Sequence, residues 1–485
     1  MAELQNPVAI DNDGRAVIER DVEPSQPRVQ TSSEAVEEYE IERTAAVITE
    51  NGYTRVALQF PDELLADATL VSAELQKRVD AHICILADTS YGSCCVDEVA
   101  AEHNAADAVV HYGRTCLTLT TRLPVVYVYG RAAVDVDDLR VKGESRVSGQ
   151  RVLLVSDVQY SHAIEAVAAA LKEYCEEVVV SRIAEPGRAY VPKTGTDTEP
   201  DTESQTEPGR SWDLDRPIGE YTMLFVGGES LTLTNLMVTQ RCSAVLSYDP
   251  QTRALREETA KVNRHLSRRY HMVQRARDAG VIGIVVGTLA AVRYLRVVEA
   301  LKQLVRRAGK KYYVFVVGKL NVAKLANFPE IETYVLVACP ENTLVDSREF
   351  FQPVVTPYEM LLALSRSHEW TGDYVTDFHA FLAVLDRRAD DIDAEDEDDD
   401  VPHFSLVTGT LRQARRYNDP RASSDRSLTV QSGNTEIAQY MGSAGAEHLL
   451  ARSFRGLGHD DDSEDVEPML AVDGLSGIAS KYNHE

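Results

Sequence analysis

Three times along the chain a short apolar run of strong β-sheet character is followed by a helical pattern and then by further apolar runs, and this order limits the fold more than any other feature. In the first copy Arg55 to Phe60 (RVALQF) leads into Pro61, whose missing N–H suits the first turn of a helix, and Leu64, Ala68, Val71 and Leu75 follow at helical spacing. A strand from His82 to Ala87, a helix from about Val96 to His103, and strands at Ala108 to Tyr112 and Val125 to Tyr129 complete it. The second copy passes from Arg151 to Val155 (RVLLV), through a helix carrying Ile164, Val167, Ala168 and Leu171, to strands at Val178 to Ile183 and Thr222 to Val226. The third passes from Val281 to Val286 (VIGIVV), through a helix carrying Leu295, Val298, Leu301 and Val305 that stops at Gly309, to strands at Tyr312 to Val317 and Thr333 to Val337. Strands alternating with helices of this length form parallel sheets joined by right-handed crossovers. The expected fold class is therefore α/β, with three related domains, each a parallel sheet flanked by helices, arranged around a common centre. The expected domains are 34–146, 147–277 with a disordered polar insertion at 193–212, and 278–388, preceded by a disordered acidic arm over 1–33 and followed by a largely disordered acidic tail over 389–485.

The formal net charge of −27 lies mostly outside the repeats. Residues 1–42 carry −8, 390–400 carry −9 and 460–467 carry −6, which leaves about −4 for the rest. Solvated runs of this sign argue against nucleic acid as a direct partner. No apolar run of 18 uncharged residues occurs, and the first residues offer neither a basic nor an apolar segment, so neither a membrane span nor a signal peptide is expected. The expected location is the cytoplasm, where thiols stay reduced, and the seven cysteines read as core residues or metal ligands instead of disulfides.

Four of those cysteines occupy loops at strand C-terminal ends, which is where an open parallel sheet places its chemistry. Cys94 and Cys95 follow the second strand of the first copy, and Cys116 follows its third. Cys339 follows the third strand of the third copy, a position equivalent to that of Cys116, whereas the middle copy has Gly227, Gly228 and Glu229 there. Metal binding and core packing are alternatives for Cys116 and Cys339, while Cys84, Cys175 and Cys242 sit among apolar neighbours and read as core. Neighbouring side chains diverge, so at most one of Cys94 and Cys95 is expected to be a good ligand, and the residues alone leave the choice open. There is no CxxC pair, and the twelve histidines show no metal spacing. Arg264 to Arg277 (RHLSRRYHMVQRAR) reads as a solvated basic helix face, and Trp370 to Phe378 (WTGDYVTDF) as packing against the third domain.

In order along the chain, VALQFPDELL, LADTSYGSCCVDEVAAE, AVVHYGRTCL, LFVGGES, SYDP, YVLVACPENTL and TPYEMLLAL resemble the diphthamide synthesis family, the 2-(3-amino-3-carboxypropyl)histidine synthases. The likeness runs from about Glu34 to Asp386, with a weaker echo in DGLSGIASKY, and the doubled cysteine of GSCCVDE is similar to subunit 2 more than to the catalytic subunit 1. The family moves a 3-amino-3-carboxypropyl group from S-adenosylmethionine onto one histidine of elongation factor 2. Its catalytic members hold a [4Fe–4S] cluster with one cysteine from each of three domains and leave one iron open. The resemblance implies Cys95, Cys116 and Cys339 as the metal ligands here, with Cys94 as the alternative to Cys95.

The middle domain departs from the catalytic pattern, because the stretch EPGRAYVPKTGTDTEPDTESQTEPGRSW holds no cysteine. The resemblance therefore implies a [4Fe–4S] subunit, not itself catalytic, in a heterodimer with subunit 1. It would support reduction of subunit 1's cluster together with a small iron-containing electron-donor protein, and elongation factor 2 is the substrate of the complex. Two other readings stand beside it: a cluster-free scaffold of the same complex, and a stand-alone doubly wound small-molecule enzyme. The missing GxGxxG counts against the latter.

Overall fold

The structure, a computed structural model, describes residues 28–29, 31–86, 92–120, 122–183, 209–345, 350–365, 370–386 and 403–412. Helices α1 (Ser32–Glu38) and α2 (Ile41–Asn51) precede the first sheet, which is built from β1 (Arg55–Gln59), β2 (His82–Ile85), β3 (Ala108–Tyr112) and β4 (Val125–Val128), with α3 (Ala68–Gln76) and α4 (Glu98–His103) in the crossovers. Its order is β2-β1-β3-β4 and every pairing is parallel. Alternate residues serve the two faces, as strand geometry demands. Val56, Leu58, Val110 and Tyr112 pack under α1 to α3, while Ala57, Val109, Val125 and Tyr127 form a second core with Ala101 of α4. Burial on both faces is why these strands read as continuous apolar runs.

The second sheet follows α5 (Val136–Val147) and contains β5 (Arg151–Ser156) and β6 (Glu177–Val180), joined by α6 (Ile164–Leu171). A small ribbon of β7 (Arg182–Ile183) and β8 (Arg210–Ser211) intervenes before β9 (Thr222–Val226), α7 (Leu231–Thr239), β10 (Ala244–Asp249) and β11 (Ala254–Glu257). The order is β11-β10-β9-β5-β6, parallel except for the edge strand β11, which turns back antiparallel on β10. Then come α8 (Thr259–Asp278), β12 (Val281–Val286), α9 (Tyr294–Arg307), β13 (Lys311–Val316), α10 (Val322–Ala326), β14 (Thr333–Val337), β15 (Val354–Val355), α11 (Pro357–Leu364) and α12 (Phe378–Asp386). These strands form a third parallel sheet, β13-β12-β14-β15. A mixed α/β fold with several parallel, helix-flanked sheets is thus what the repeated pattern encodes. Among the described residues no helix is long and apolar enough to cross a membrane.

Parts of the segments expected to lack structure are among the described residues, and these parts are packed. The arm expected over 1–33 gives way to packed chain at its end: Val29 is buried, the Arg28 N–H donates to Asp67 at 3.1 Å, and Thr31 caps α1 in a capping box with Glu34. Of the insertion expected at 193–212, residues 209–212 are described and packed: Trp212 is buried against β5 and β9, and the Arg210 guanidinium donates to the Ser156 carbonyl at 2.8 Å. Within the tail expected over 389–485, β16 (His403–Phe404) and β17 (Leu411–Arg412) form a hairpin whose Ser405 hydroxyl donates to Asp278. The remainder of these three stretches lies outside the described residues.

Helix α8 is not merely a solvated basic face. Arg269 is fully buried and paired with Glu359, which is also fully buried. Its Nε donates to Glu359 Oε1 at 2.6 Å and its Nη1 to the Val345 carbonyl at 2.8 Å, while the Tyr374 hydroxyl donates to the same carboxylate at 2.6 Å. Glu359 is held in turn by the capping box of α11, in which the Thr356 N–H donates to Glu359 Oε2 at 2.8 Å. The TPYE motif and the basic helix are two halves of one strut.

Candidate metal centre

Cys94, Cys95, Cys116 and Cys339 are all buried, and their Sγ atoms lie within 4.8 Å of one another. Cys94 and Cys339 are 4.0 Å apart, Cys95 and Cys116 3.8 Å. Cys94, Cys95 and Cys116 come from loops at the C-terminal ends of the first sheet, and Cys339 stands two residues beyond β14 of the third. The two sheets meet at this cage of thiols.

All three residues implied by the resemblance come together, and Cys94 joins them. The expectation that only one of the adjacent pair could face the site assumed an extended backbone. The chain instead turns here, with the Cys95 N–H donating to the Gly92 carbonyl at 3.0 Å, and in a turn successive side chains need not diverge. The Gly-Ser preceding the pair is the signal that marks the turn. Cys84, Cys175 and Cys242 lie elsewhere and are half-buried.

Each loop is fixed by its own polar contacts. Gln59, at the end of β1, donates to the Cys95 carbonyl at 2.7 Å and accepts from the Asp97 N–H at 2.9 Å, so its amide clamps the cysteine turn to the sheet. The Cys116 N–H donates to the Cys94 carbonyl at 3.0 Å, and the Cys116 sulfur lies 3.1 Å from the Thr118 hydroxyl. On the third sheet's side the Thr343 N–H donates to the Cys339 carbonyl at 3.0 Å, and the Cys94 thiol approaches Asn342 Oδ1 at 3.7 Å.

Beside the cage, Arg114 donates to Glu341 at 3.0 Å, and the Thr232 hydroxyl donates to the other carboxylate oxygen at 2.6 Å. Residues from the first, second and third sheets' loops and helices thereby share one hydrogen-bonded group. Burial pushes the Glu341 carboxyl up, and Arg114 and Thr232 oppose that shift. The fit between the loops is closest at Gly92, where an added Cβ would stand 1.9 Å from Asn342 Nδ2. Gly92→Ala is expected to swing the Asn342 amide away from Cys94 at a cost of about 1 kcal/mol. Thermal unfolding should report the loss while the far-ultraviolet circular dichroism stays unchanged.

The thiols titrate as one group. Cys116 is drawn well below its ordinary value by its contacts with Cys339, Cys94 and Cys95, and Cys95 and Cys339 are pushed well above theirs, first by contact with Cys116. Several negative charges packed into one buried volume repel, which opposes ionisation of the thiols together. A bound cation inverts this logic and favours thiolate at every position. Thiolates are soft ligands, suited to zinc, copper(I) and iron–sulfur centres.

Fold and site together define an α/β protein of parallel sheets with a buried four-thiol cage at their strand ends. The chain belongs to the diphthamide synthesis family: the model described as putative diphthamide synthesis protein matches residues 60–375. It is 40% identical to the 2-(3-amino-3-carboxypropyl)histidine synthase subunit 2 of Schizosaccharomyces pombe, over 99% of this chain and 96% of that one. It is 42% identical to the subunit 2 of Xenopus laevis, over 98% of each. The fold is similar to that of Dph2 from Pyrococcus horikoshii, a structure with a 4Fe-4S cluster, at 24% identity and a TM-score of 0.54, covering 70% of this chain and 95% of that one.

Proposed function

We propose that this chain is the iron–sulfur subunit of the complex that carries out the first step of diphthamide biosynthesis, the transfer of 3-amino-3-carboxypropyl from S-adenosylmethionine to a histidine of elongation factor 2. In this reading Cys95, Cys116 and Cys339 hold a [4Fe–4S] cluster and Cys94 is the fourth ligand. The observation that carries it is the cage itself, four buried sulfurs supplied by two sheets. The curated relatives of this chain are named subunit 2, and the similar Dph2 structure is described with a 4Fe-4S cluster. Three related domains, 34–146, 147–277 and 278–388, pack around this centre in the proposed arrangement, in a cytoplasmic heterodimer with subunit 1.

The role follows from the ligand count. Four thiolates leave no coordination position open for a substrate, so the chain's part is electron transfer, with the aminocarboxypropyl chemistry residing in subunit 1. Held by Cys94, Cys95, Cys116 and Cys339, a cluster would supply one-electron chemistry, with a small iron-containing protein as the proposed donor. The protein supplies a dry, hydrogen-bonded cage, and Leu119, three residues past Cys116, is exposed, so the path from the centre to the surface is short. Burial and hydrogen bonding at the sulfurs then set the potential.

A second reading is favoured by the sulfur spacing. Metal–sulfur bonds of about 2.3 Å around one tetrahedral ion place the sulfurs roughly 3.8 Å apart, close to the 3.8 and 4.0 Å found here. Under that reading the cage holds a single structural ion such as zinc, and the chain is a scaffold for subunit 1. The test is co-purification with subunit 1 followed by anaerobic transfer assays on elongation factor 2. Under the electron-transfer reading, replacing Cys95, Cys116 and Cys339 together by alanine lowers turnover at least tenfold while the subunits still co-purify. Undiminished activity of that complex overturns it in favour of the scaffold.

A further inference from the structure

His111 is the fourth residue of β3 and has no solvent-accessible surface, yet neither ring nitrogen has a partner in hydrogen-bond geometry. Leaving a buried polar group unpaired costs about 1–3 kcal/mol, and native structures rarely do so without a reason. The sheet register shows which way the ring faces. Gln59, His111 and Tyr127 are Cα partners on β1, β3 and β4, so their side chains stand in one row on one face of the sheet. Gln59 reaches from that row to the Cys95 carbonyl, and Tyr127 flanks the imidazole with ring centroids 5.9 Å apart. The imidazole therefore sits beside the clamp that holds the cysteine turn. Burial pushes His111 down to about 4, opposed first by Cys116 and then by loose backbone contacts of the ring with Ser93 and with its own residue, none of them in hydrogen-bond geometry. A neutral ring carries one N–H and no charge.

We infer that His111 donates its imidazole N–H to a sulfur of the metal centre, and so acts as a positioning residue that raises the centre's reduction potential. The inference rests on the iron–sulfur reading above. A hydrogen bond to a thiolate or sulfide stabilises the more negative, reduced state, which makes the centre easier to reduce. Such a donor explains an otherwise costly group: the partner that His111 lacks is the bound centre. Gln59 holds the cysteine backbone and His111 addresses the sulfurs, so one row of the first sheet does both.

Electron spin echo spectroscopy of the reduced, anaerobically purified chain, grown with nitrogen-15 histidine, tests this without any substitution. The expected result is nitrogen coupling to the cluster spin from one histidine, lost in His111→Phe. That variant should keep its iron and show a potential shifted to more negative values, and His111→Gln, which retains an N–H, should recover part of the shift. A loaded wild-type chain without histidine coupling, or a loaded His111→Phe chain at the wild-type potential, overturns the role of His111 alone. An iron-free wild-type chain overturns the iron–sulfur reading and this inference with it. Should the Phe variant fail to load, the presence or absence of coupling in the wild type still decides.

Discussion

Cys339→Ser is expected to strip the anaerobically purified chain of its metal centre, lowering bound iron at least tenfold while the far-ultraviolet circular dichroism stays that of the wild type. Cys339 is fully buried and is the one cysteine of the cage that comes from the third sheet. Cys94, Cys95 and Cys116 belong to loops of the first sheet that already hold one another, through the Cys116 N–H on the Cys94 carbonyl. Losing Cys339 therefore removes both a soft ligand and the sulfur that ties the centre to the second half of the chain. Even residues one shell removed from a metal alter affinity by about 10–100-fold, so a ligand's loss should exceed that. Cys94→Ser gives a milder result under the same account, because the three thiolates that remain still come from both sheets: iron is retained, and the vacated position becomes open to an added ligand. Iron analysis and absorption of the paired variants separate the two effects, and equal retention in both would contradict the assignment of Cys339.

Arg269→Ala is expected to be the most destabilising single change outside the cage. The guanidinium and Glu359 are both without solvent exposure, and the carboxylate also accepts from Tyr374. Removing one partner of a buried pair leaves the other charge uncompensated, at a cost of about 3–5 kcal/mol. The Tyr374 hydroxyl, pushed well above its ordinary value by burial and by the Glu359 charge, stays a neutral donor to that carboxylate and supplies no compensating charge. Thermal unfolding followed by circular dichroism should show a large drop in midpoint. Arg269→Met together with Glu359→Leu, which removes both charges, should recover most of it. A single variant as stable as the wild type would show that the strut carries no weight.

Much of the fold was legible because burial on both faces of a parallel sheet writes itself as an apolar run, and β1, β5, β12 and β14 sit where such runs lie. The antiparallel β11 (ALRE) was not, since its residues carry no such run and it is placed by its pairing with β10. All four cage cysteines were legible as loop residues after strands, and the resemblance singled out Cys95, Cys116 and Cys339. Cys94 stood only as the alternative to Cys95, because a rule for extended chain was applied to a turn. The Arg269 strut was hidden by distance: its two halves lie 90 residues apart, and a basic helix with one buried arginine has the same composition as one with none. His111 read as one more residue of an apolar strand. Its unpaired nitrogens are a property of the assembled row with Gln59 and Tyr127, which no spacing records.

The central claim, a four-thiolate iron–sulfur centre built by two sheets, is tested most directly by electron paramagnetic resonance of the anaerobically purified, dithionite-reduced chain, with and without S-adenosylmethionine, alongside its iron, sulfide and zinc content. The account predicts about four irons and four sulfides per chain, as a [4Fe–4S] centre requires, and a reduced-cluster signal that S-adenosylmethionine leaves unchanged. A folded, colourless chain that holds a single zinc ion, or a signal that shifts on adding S-adenosylmethionine, would contradict it.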